Sequence, residues 1–232
     1  MQIRRATIDD ADAIAMINNI VWPGDSIKVE QVQRAIEHKD HATHVAVIDS
    51  RIFGFIDGFI TRNPEFFTRW EVDLLAVHPD FRGRKTGATL VRQCTQTGYD
   101  MGADVVRCVI RVDNIASQLT FARGGYAQCG NPVLMLIAQP GNNGSEVSRF
   151  IENWVTIPVT TLTYEGIWLE APVDKSFHGR DHFLELILKQ PLKCPVGILL
   201  DPENSDIRND AIASGFREKG LFHWWEHQPV TS

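Results

Sequence analysis

DLLAVHPDFRGRKTGATL, residues 73–90, decides the reading of this chain. It starts as the end of an apolar strand, residues 70–77, which His78-Pro79 breaks. From about Lys85 to Asp100 the pattern turns helical, with Leu90, Val91 and Cys94 on the apolar face. Between them lies Phe81-Arg-Gly-Arg-Lys-Thr-Gly-Ala88. A helix N-terminus offers free N–H groups to phosphates. Glycine lets the backbone come close, and Arg and Lys add charge-assisted bonds. The segment supplies all three and reads as a nucleotide-phosphate site. It is neither a GxxxxGK[ST] loop nor a GxGxxG turn.

Upstream, residues 2–6 read as a short strand. Thr7 and Asp10 have capping-box spacing at the start of a helix carrying Ile14, Ile17, Ile20 and Val21. Pro23-Gly24 ends that helix, and Val29, Val32 and Ile36 line one face of a second near 29–38. Strands follow at 44–49 and 52–61. Downstream come a β-branched strand at 105–112, a helix at 115–123 ended by Gly124-Gly125, and a strand at 133–138. QPGNNGS, residues 139–145, reads as a linker. Helices alternate with strands, but two runs hold consecutive strands. That pattern makes a mixed α/β sheet with helices packed on it.

The 232 residues suit one domain plus part of a second. A net charge of -6 argues against a general nucleic-acid binder. The balance is -1 over residues 1–140 and -5 over 141–232, which reads as solubility or as attraction for a cationic amine. Cys94, Cys108, Cys129 and Cys194 have neither metal nor disulfide-framework spacing. They indicate a reduced compartment, no apolar leader opens the sequence, and no run reaches the roughly 18–20 residues that span a bilayer. A cytoplasmic protein with no membrane partner and no metal is expected.

Residues 73–90 resemble the signature of the GNAT superfamily of N-acetyltransferases. There a strand ends in an apolar–Val–x–Pro segment, and an R/Q-x-x-G-x-G/A loop cradles the pyrophosphate of coenzyme A. Arg82 takes the Arg position and Gly87 the last Gly. Lys85 replaces the middle Gly. Since that contact is normally a backbone N–H, Lys85 is expected in an ordinary helical conformation, its ammonium adding charge. A second stretch, Asn114-Ile-Ala-Ser-Gln-Leu-Thr-Phe-Ala-Arg-Gly-Gly-Tyr126, is similar to the family's N-x-x-A-x-x-x-Y-x-x-x-G-F. Asn114, Gly125 and Tyr126 fit, Ser117 takes the small-residue position, and Phe121 replaces Tyr. The opening IRRATIDDADAI also resembles the family's start, so the resemblance covers about residues 2–139.

The resemblance implies a GNAT-like, mostly antiparallel sheet with flanking helices. It also implies an acetyl-CoA-dependent N-acetyltransferase acting on a primary amine of a small molecule or peptide. Arg82, Gly83, Arg84, Lys85, Thr86, Gly87 and Ala88 would bind pyrophosphate, with Asn114 and Phe121 nearby. Backbone N–H groups of Leu75, Ala76 and Val77 would hold the thioester arm. Strand alternation places Glu71, Asp73, Leu75 and Val77 on one face. Glu71 lies where some members carry a catalytic glutamate, and Asp73 competes for the role of base. The family's Tyr donates to the leaving sulfur, which Phe121 cannot do. Either another group serves, or the thiolate leaves unaided, or the chain is a non-catalytic acyl-CoA-binding module. Trp22, Trp70 and Tyr126 read as core or as an acceptor pocket, and His78 as a solvent-facing residue.

Residues 146–232 carry strands within 154–169, a helix at 182–189, a strand at 195–200, a helix at 209–213 and a strand at 221–227. Phe177-His-Gly-Arg180 echoes Phe81 to Arg84, and Asn204 followed by Gly215-Phe216 echoes Asn114 to Tyr126. This gives domains 1–139 and 146–232 joined by 140–145. The second is either a degenerate half-copy that shapes the acceptor cleft or an unrelated α/β extension. A third reading is a protein-interaction surface in a homodimer.

Overall fold

The computed structural model describes residues 1–62, 67–141, 147, 150, 154–170 and 194–229. The expected helix at 182–189, the echo at 177–180 and linker residues 142–145 lie outside them. The strands are β1 (Gln2–Arg5), β2 (His41–Ile48), β3 (Arg51–Arg62), β4 (Thr68–Val77), β5 (Val105–Arg111), β6 (Tyr126–Ala138), β7 (Val155–Thr160), β8 (Glu165–Glu170), β9 (Val196–Leu200) and β10 (Arg217–His227). The helices used below are α1 (Ala11–Val21), α2 (Val29–Glu37), α3 (Thr86–Asp100), α4 (Ile115–Arg123) and α5 (Ser205–Ala213).

All ten strands form one sheet in the order β1-β2-β3-β4-β5-β10-β6-β9-β8-β7. Every pairing is antiparallel except β4–β5 and β8–β9. The order is symmetric about the β10–β6 pair. Outward on one side lie β5, β4 and β3, and on the other β9, β8 and β7, with the same sequence of orientations. The helices before β6 and β10 start and stop alike. Asn114 caps α4 by accepting the Ser117 N–H, and Asn204 caps α5 by accepting the Ile207 N–H. Both lead into a left-handed glycine, Gly125 (φ 96°) and Gly215 (φ 101°). The last strand therefore does not close a sheet of its own. It lies between β5 and β6, with Trp225 in the core beside Cys108, Phe121 and Tyr126.

Three elements start at least four residues earlier than the sequence indicates. β6 begins at Tyr126, because a register irregularity around left-handed Gly130 absorbs Pro132 without ending the strand. α5 begins at Ser205, where Asn204 is the cap, and β10 at Arg217.

One face of β2–β5 packs under α3 and α4, and the opposite face of β2–β4 under α1 and α2. Trp70 is fully buried between Gly58 of β3 and Gly98 of α3, its indole N–H directed to Cys94 Sγ at 3.3 Å. A Cβ at Gly98 would stand 2.4 Å from Trp70 Cγ. Gly98→Ala gains about 1 kcal/mol of helix propensity but overpacks a site that cannot move, at about 1–3 kcal/mol. A lower melting temperature is expected, measurable by circular dichroism.

Candidate active site

Past β4, His78 Nδ1 accepts the Asp80 N–H at 3.3 Å and residues 79–81 make one 3-10 turn. Phe81 stacks on Phe53 at 4.7 Å, and the Arg84 guanidinium lies 5.3 Å over Phe81. Gly83 takes φ 78°, and α3 starts at Thr86. Its first backbone bond runs from the Thr89 N–H to Lys85 O, so the N–H groups of Thr86, Gly87 and Ala88 have no partner within the helix. Arg82, Gly83, Arg84 and Lys85 are exposed around them. These free donors and cations fit a pyrophosphate. Gly87 also lets α3 approach α4, since a Cβ there would lie 2.9 Å from a Thr120 methyl.

Lys85 corrects an expectation. It is not helical but left-handed, with φ 62° and ψ 8°, at the N-cap of α3. The chain must reverse between the 3-10 turn and the helix, and this position carries that reversal. A side chain there costs about 1–2 kcal/mol. Lys85→Gly removes the strain but adds about 0.5–1 kcal/mol of unfolded-state entropy. A gain of under about 1 kcal/mol is expected in urea unfolding.

β4 and β5 pair only from Arg69↔Val105 to Glu71↔Arg107. Beyond that point β5 is held by β10 on its other side, and β4 by β3. The two strands diverge, leaving an open edge on β4. The His78 N–H bonds Phe53 O on β3, so alternation turns the N–H groups of Val77 and Leu75 to the gap. The Ala76 N–H turns to β3, and its side chain is buried. Arg82 Nε–H donates to Val77 O at 3.2 Å and ties the phosphate loop to this edge.

The carboxylates do not share a face with Leu75 and Val77. The β3–β4 register shifts between Ile56↔Leu75 and Gly58↔Val72, a β-bulge that inserts one residue into β4. Trp70, Val72, Leu75 and Val77 all pack under α3 and α4, while Glu71 and Asp73 point to the other side. Strict alternation fails because the extra residue resets its phase.

On that other side lies a cavity of about 250 Å³. The sheet bends so that its far end returns to β3. Phe59 packs with Val155, Ile157 and Val159 of β7, and His41 Nε2 bonds Thr160 O. Where β4 and β5 still pair, four charges interlock across the cavity. Glu71 receives Arg107 at 2.8–3.1 Å and the Thr61 hydroxyl at 3.0 Å. Arg69 reaches Glu170 of β8 at 2.7 Å, and Arg107 stacks on Trp224 of β10 at 3.9 Å. Glu71 is thus tied to a guanidinium.

Asp73 differs. Its side chain is solvent-exposed and borders the cavity. The protein packed around the carboxyl, and then the Asp57 charge, push it upward, to about 7, against the opposing Thr161 hydroxyl and His41. Behind it, Asp57 is fully buried, accepts the Thr43 hydroxyl at 2.6 Å and lies 3.4 Å from His41 Nδ1. Burial works against the charged form of His41, but Asp57 prevails and raises its pKa. A carboxyl that titrates near neutral pH, two residues from a free backbone edge, can act as a proton acceptor.

A strand open beside its parallel neighbour runs here from a helix N-terminus to that carboxyl. The family model for acetyltransferase (GNAT) family matches residues 13–126. Residues 13–126 are a GNAT acetyltransferase domain. Structural likeness agrees on the fold. Ribosomal-protein-alanine N-acetyltransferase from Brucella melitensis is 21% identical with a TM-score of 0.51, over 58% of this chain and 88% of that one. A GCN5-related glucosamine N-acetyltransferase region of a fungal multi-domain GH3 beta-N-acetylglucosaminidase is 12% identical with a TM-score of 0.62. It covers 97% of this chain, which spans 38% of that protein. A transcriptional regulator from Bacillus halodurans C-125 has a TM-score of 0.51 at 14% identity, over 56% of this chain and 95% of that one. No curated protein sequence matches the chain.

Two GNAT positions have structural occupations here. The Asn114 side chain is used in capping α4. Phe121 is buried edge-on to Tyr126 at 5.1 Å, and Tyr126 in turn bonds Thr95 at 2.7 Å. Trp70 and Tyr126 are buried in the core. Arg107, Trp224, Trp168, Tyr164, Thr161 and the Asp57–His41 pair were not legible as site residues. Strand alternation alone singles out Arg107, but the others arrive from residues far apart in sequence. Among the described residues no helix is long and apolar enough to cross a membrane.

Proposed function

We propose that the protein transfers the acetyl group of acetyl-CoA to a primary amine. The observation that carries this reading is the open edge of β4, running from the α3 N-terminus to Asp73. Thr86, Gly87, Ala88 and the side chains of Arg82, Arg84 and Lys85 bind the pyrophosphate. The Leu75 and Val77 N–H groups receive the thioester arm and the oxyanion that forms at its carbonyl. Asp73 accepts the proton as the amine nitrogen attacks. Glu71, neutralised by Arg107, positions rather than reacts. Phe121 donates nothing, so the thiolate leaves unaided. Residues 146–232 act as a degenerate second copy whose strands wall the acceptor side, a reading that the symmetric strand order supports.

Phe121 favours one other reading, a domain that binds acetyl-CoA without turnover. Thiol release followed over a panel of amines separates the two. Release above the acetyl-CoA hydrolysis background is expected. Tight acetyl-CoA binding with no release from any amine, and activity appearing only in Phe121→Tyr, would establish the non-catalytic module instead.

A further inference from the structure

We propose that the acetyl acceptor is a small primary amine with an apolar body, a branched-alkyl or arylalkyl amine, held in the cavity with its nitrogen at Asp73. This rests on the reading above and specifies its substrate class. Size comes first. Pockets for drug-sized ligands run to about 300–1,000 Å³, and this one is about 250 Å³. It suits a compact molecule better than a multi-ring aminoglycoside.

Shape comes second. One side of the cavity is closed where β7 packs against β3 through Phe59, Val155, Ile157 and Val159, so a ligand enters from the other side and not along a through-going groove. The turn before β8 is fastened by the Tyr164 hydroxyl, which donates to Ile167 O at 2.6 Å and lies 3.0 Å from Pro195 O. Across the cavity the Arg69–Glu170 pair joins β4 to β8.

Charge comes third. The walls include Val109, Met135, Ile137, Ile157, Leu199 and Trp168. The cavity's arginines are matched by Glu71 and Glu170, so they hold no surplus charge for a ligand. No ion pair reaches Asp73 among the described residues, and it lies beside the open edge of β4. One acidic end, other charges already paired with one another, and the apolar walls match one ammonium on one apolar body. A polyamine or amino sugar would have to compete with the existing Arg69 and Arg107 ion pairs for partners for its further polar groups.

The test is calorimetric titration of the full chain, with and without saturating coenzyme A. The ligands are 2-phenylethylamine, 3-methylbutylamine, glucosamine, spermidine and a hexapeptide with a free N-terminus. The two apolar amines are expected to bind at least about tenfold tighter than the others, the factor that about 1.4 kcal/mol gives. Leu199→Trp, which fills the cavity from β9, is expected to abolish amine binding while coenzyme A affinity holds. Val109→Phe fills it from β5 and serves if the first variant misfolds. Glucosamine, spermidine or peptide binding as tightly, or no amine binding at all, overturns the proposal. Apolar amines that bind while coenzyme A does not would support this pocket and sink the acetyl-CoA reading. Coenzyme A binding with a preference for glucosamine does the reverse.

Discussion

A chain ending at residue 139 is expected not to fold. It keeps the whole segment matched by the GNAT model, residues 13–126, yet loses β10. That strand pairs with β5 from Phe222↔Arg111 to Glu226↔Arg107 and with β6 from Arg217↔Ile137 to His227↔Tyr126. Each backbone bond contributes about 0.5–1.5 kcal/mol, and the two ladders together about 10 kcal/mol. Trp225 leaves the core, and His227 leaves Tyr99 and Tyr126. That sum is comparable to the roughly 5–15 kcal/mol by which a domain is stable. Two exposed strand edges would also invite aggregation. Size-exclusion chromatography and thermal melting should show aggregate and no cooperative transition. A soluble, cooperatively melting fragment of residues 1–139 would mean that β5 and β6 can pair without β10.

Replacing Asp73 by Asn should lower kcat by about 10²–10⁴, the usual worth of a general base, and leave acetyl-CoA affinity nearly unchanged. The pH profile carries the assignment. Desolvation by the neighbouring protein first, and Asp57 second, raise the Asp73 carboxyl from 3.8 to about 7. The wild-type rate should therefore rise through about pH 7 as the carboxylate forms. Asp73→Asn should lose that limb and follow only the ionisation of the amine. Asp57→Asn should move the limb to lower pH. Stability should change in the opposite sense to activity. Between about pH 4 and 7 the unfolded chain releases the Asp73 proton and the folded chain keeps it, so stability falls as pH rises through this window. Removing the carboxyl should raise the melting temperature at pH 8 and have no effect at pH 3. Glu71→Gln is the contrast. It leaves the mostly buried Arg107 and Arg69 to share Glu170 alone, and a loss of up to about 3 kcal/mol is expected. A normal pH limb in Asp73→Asn would transfer the role of base elsewhere.

Local order was legible in the sequence. The residues of 73–90 marked a strand, a turn and a helix N-terminus, because apolar period, Pro and Gly act over a few neighbouring residues. Asn114 and Gly124-Gly125 placed α4 for the same reason. Less local features were missed. The bulge in β4 depends on how β3 lies against it, and it moved Glu71 and Asp73 off the face of Leu75. Lys85 entered the left-handed region because a turn on one side and a helix on the other fix its direction, although its own propensity opposes it.

The sequence by itself determined a GNAT-type strand–loop–helix and a set of candidate residues along it. Only the tertiary structure decided which carboxylate faces an open cavity and which is locked to Arg107. It alone placed the last strand between β5 and β6. The physical reason is reach. Propensity and capping are set within one or two turns of chain. Pairing, burial and pKa are set by whatever the fold brings alongside, here residues as distant as Glu71 and Glu170.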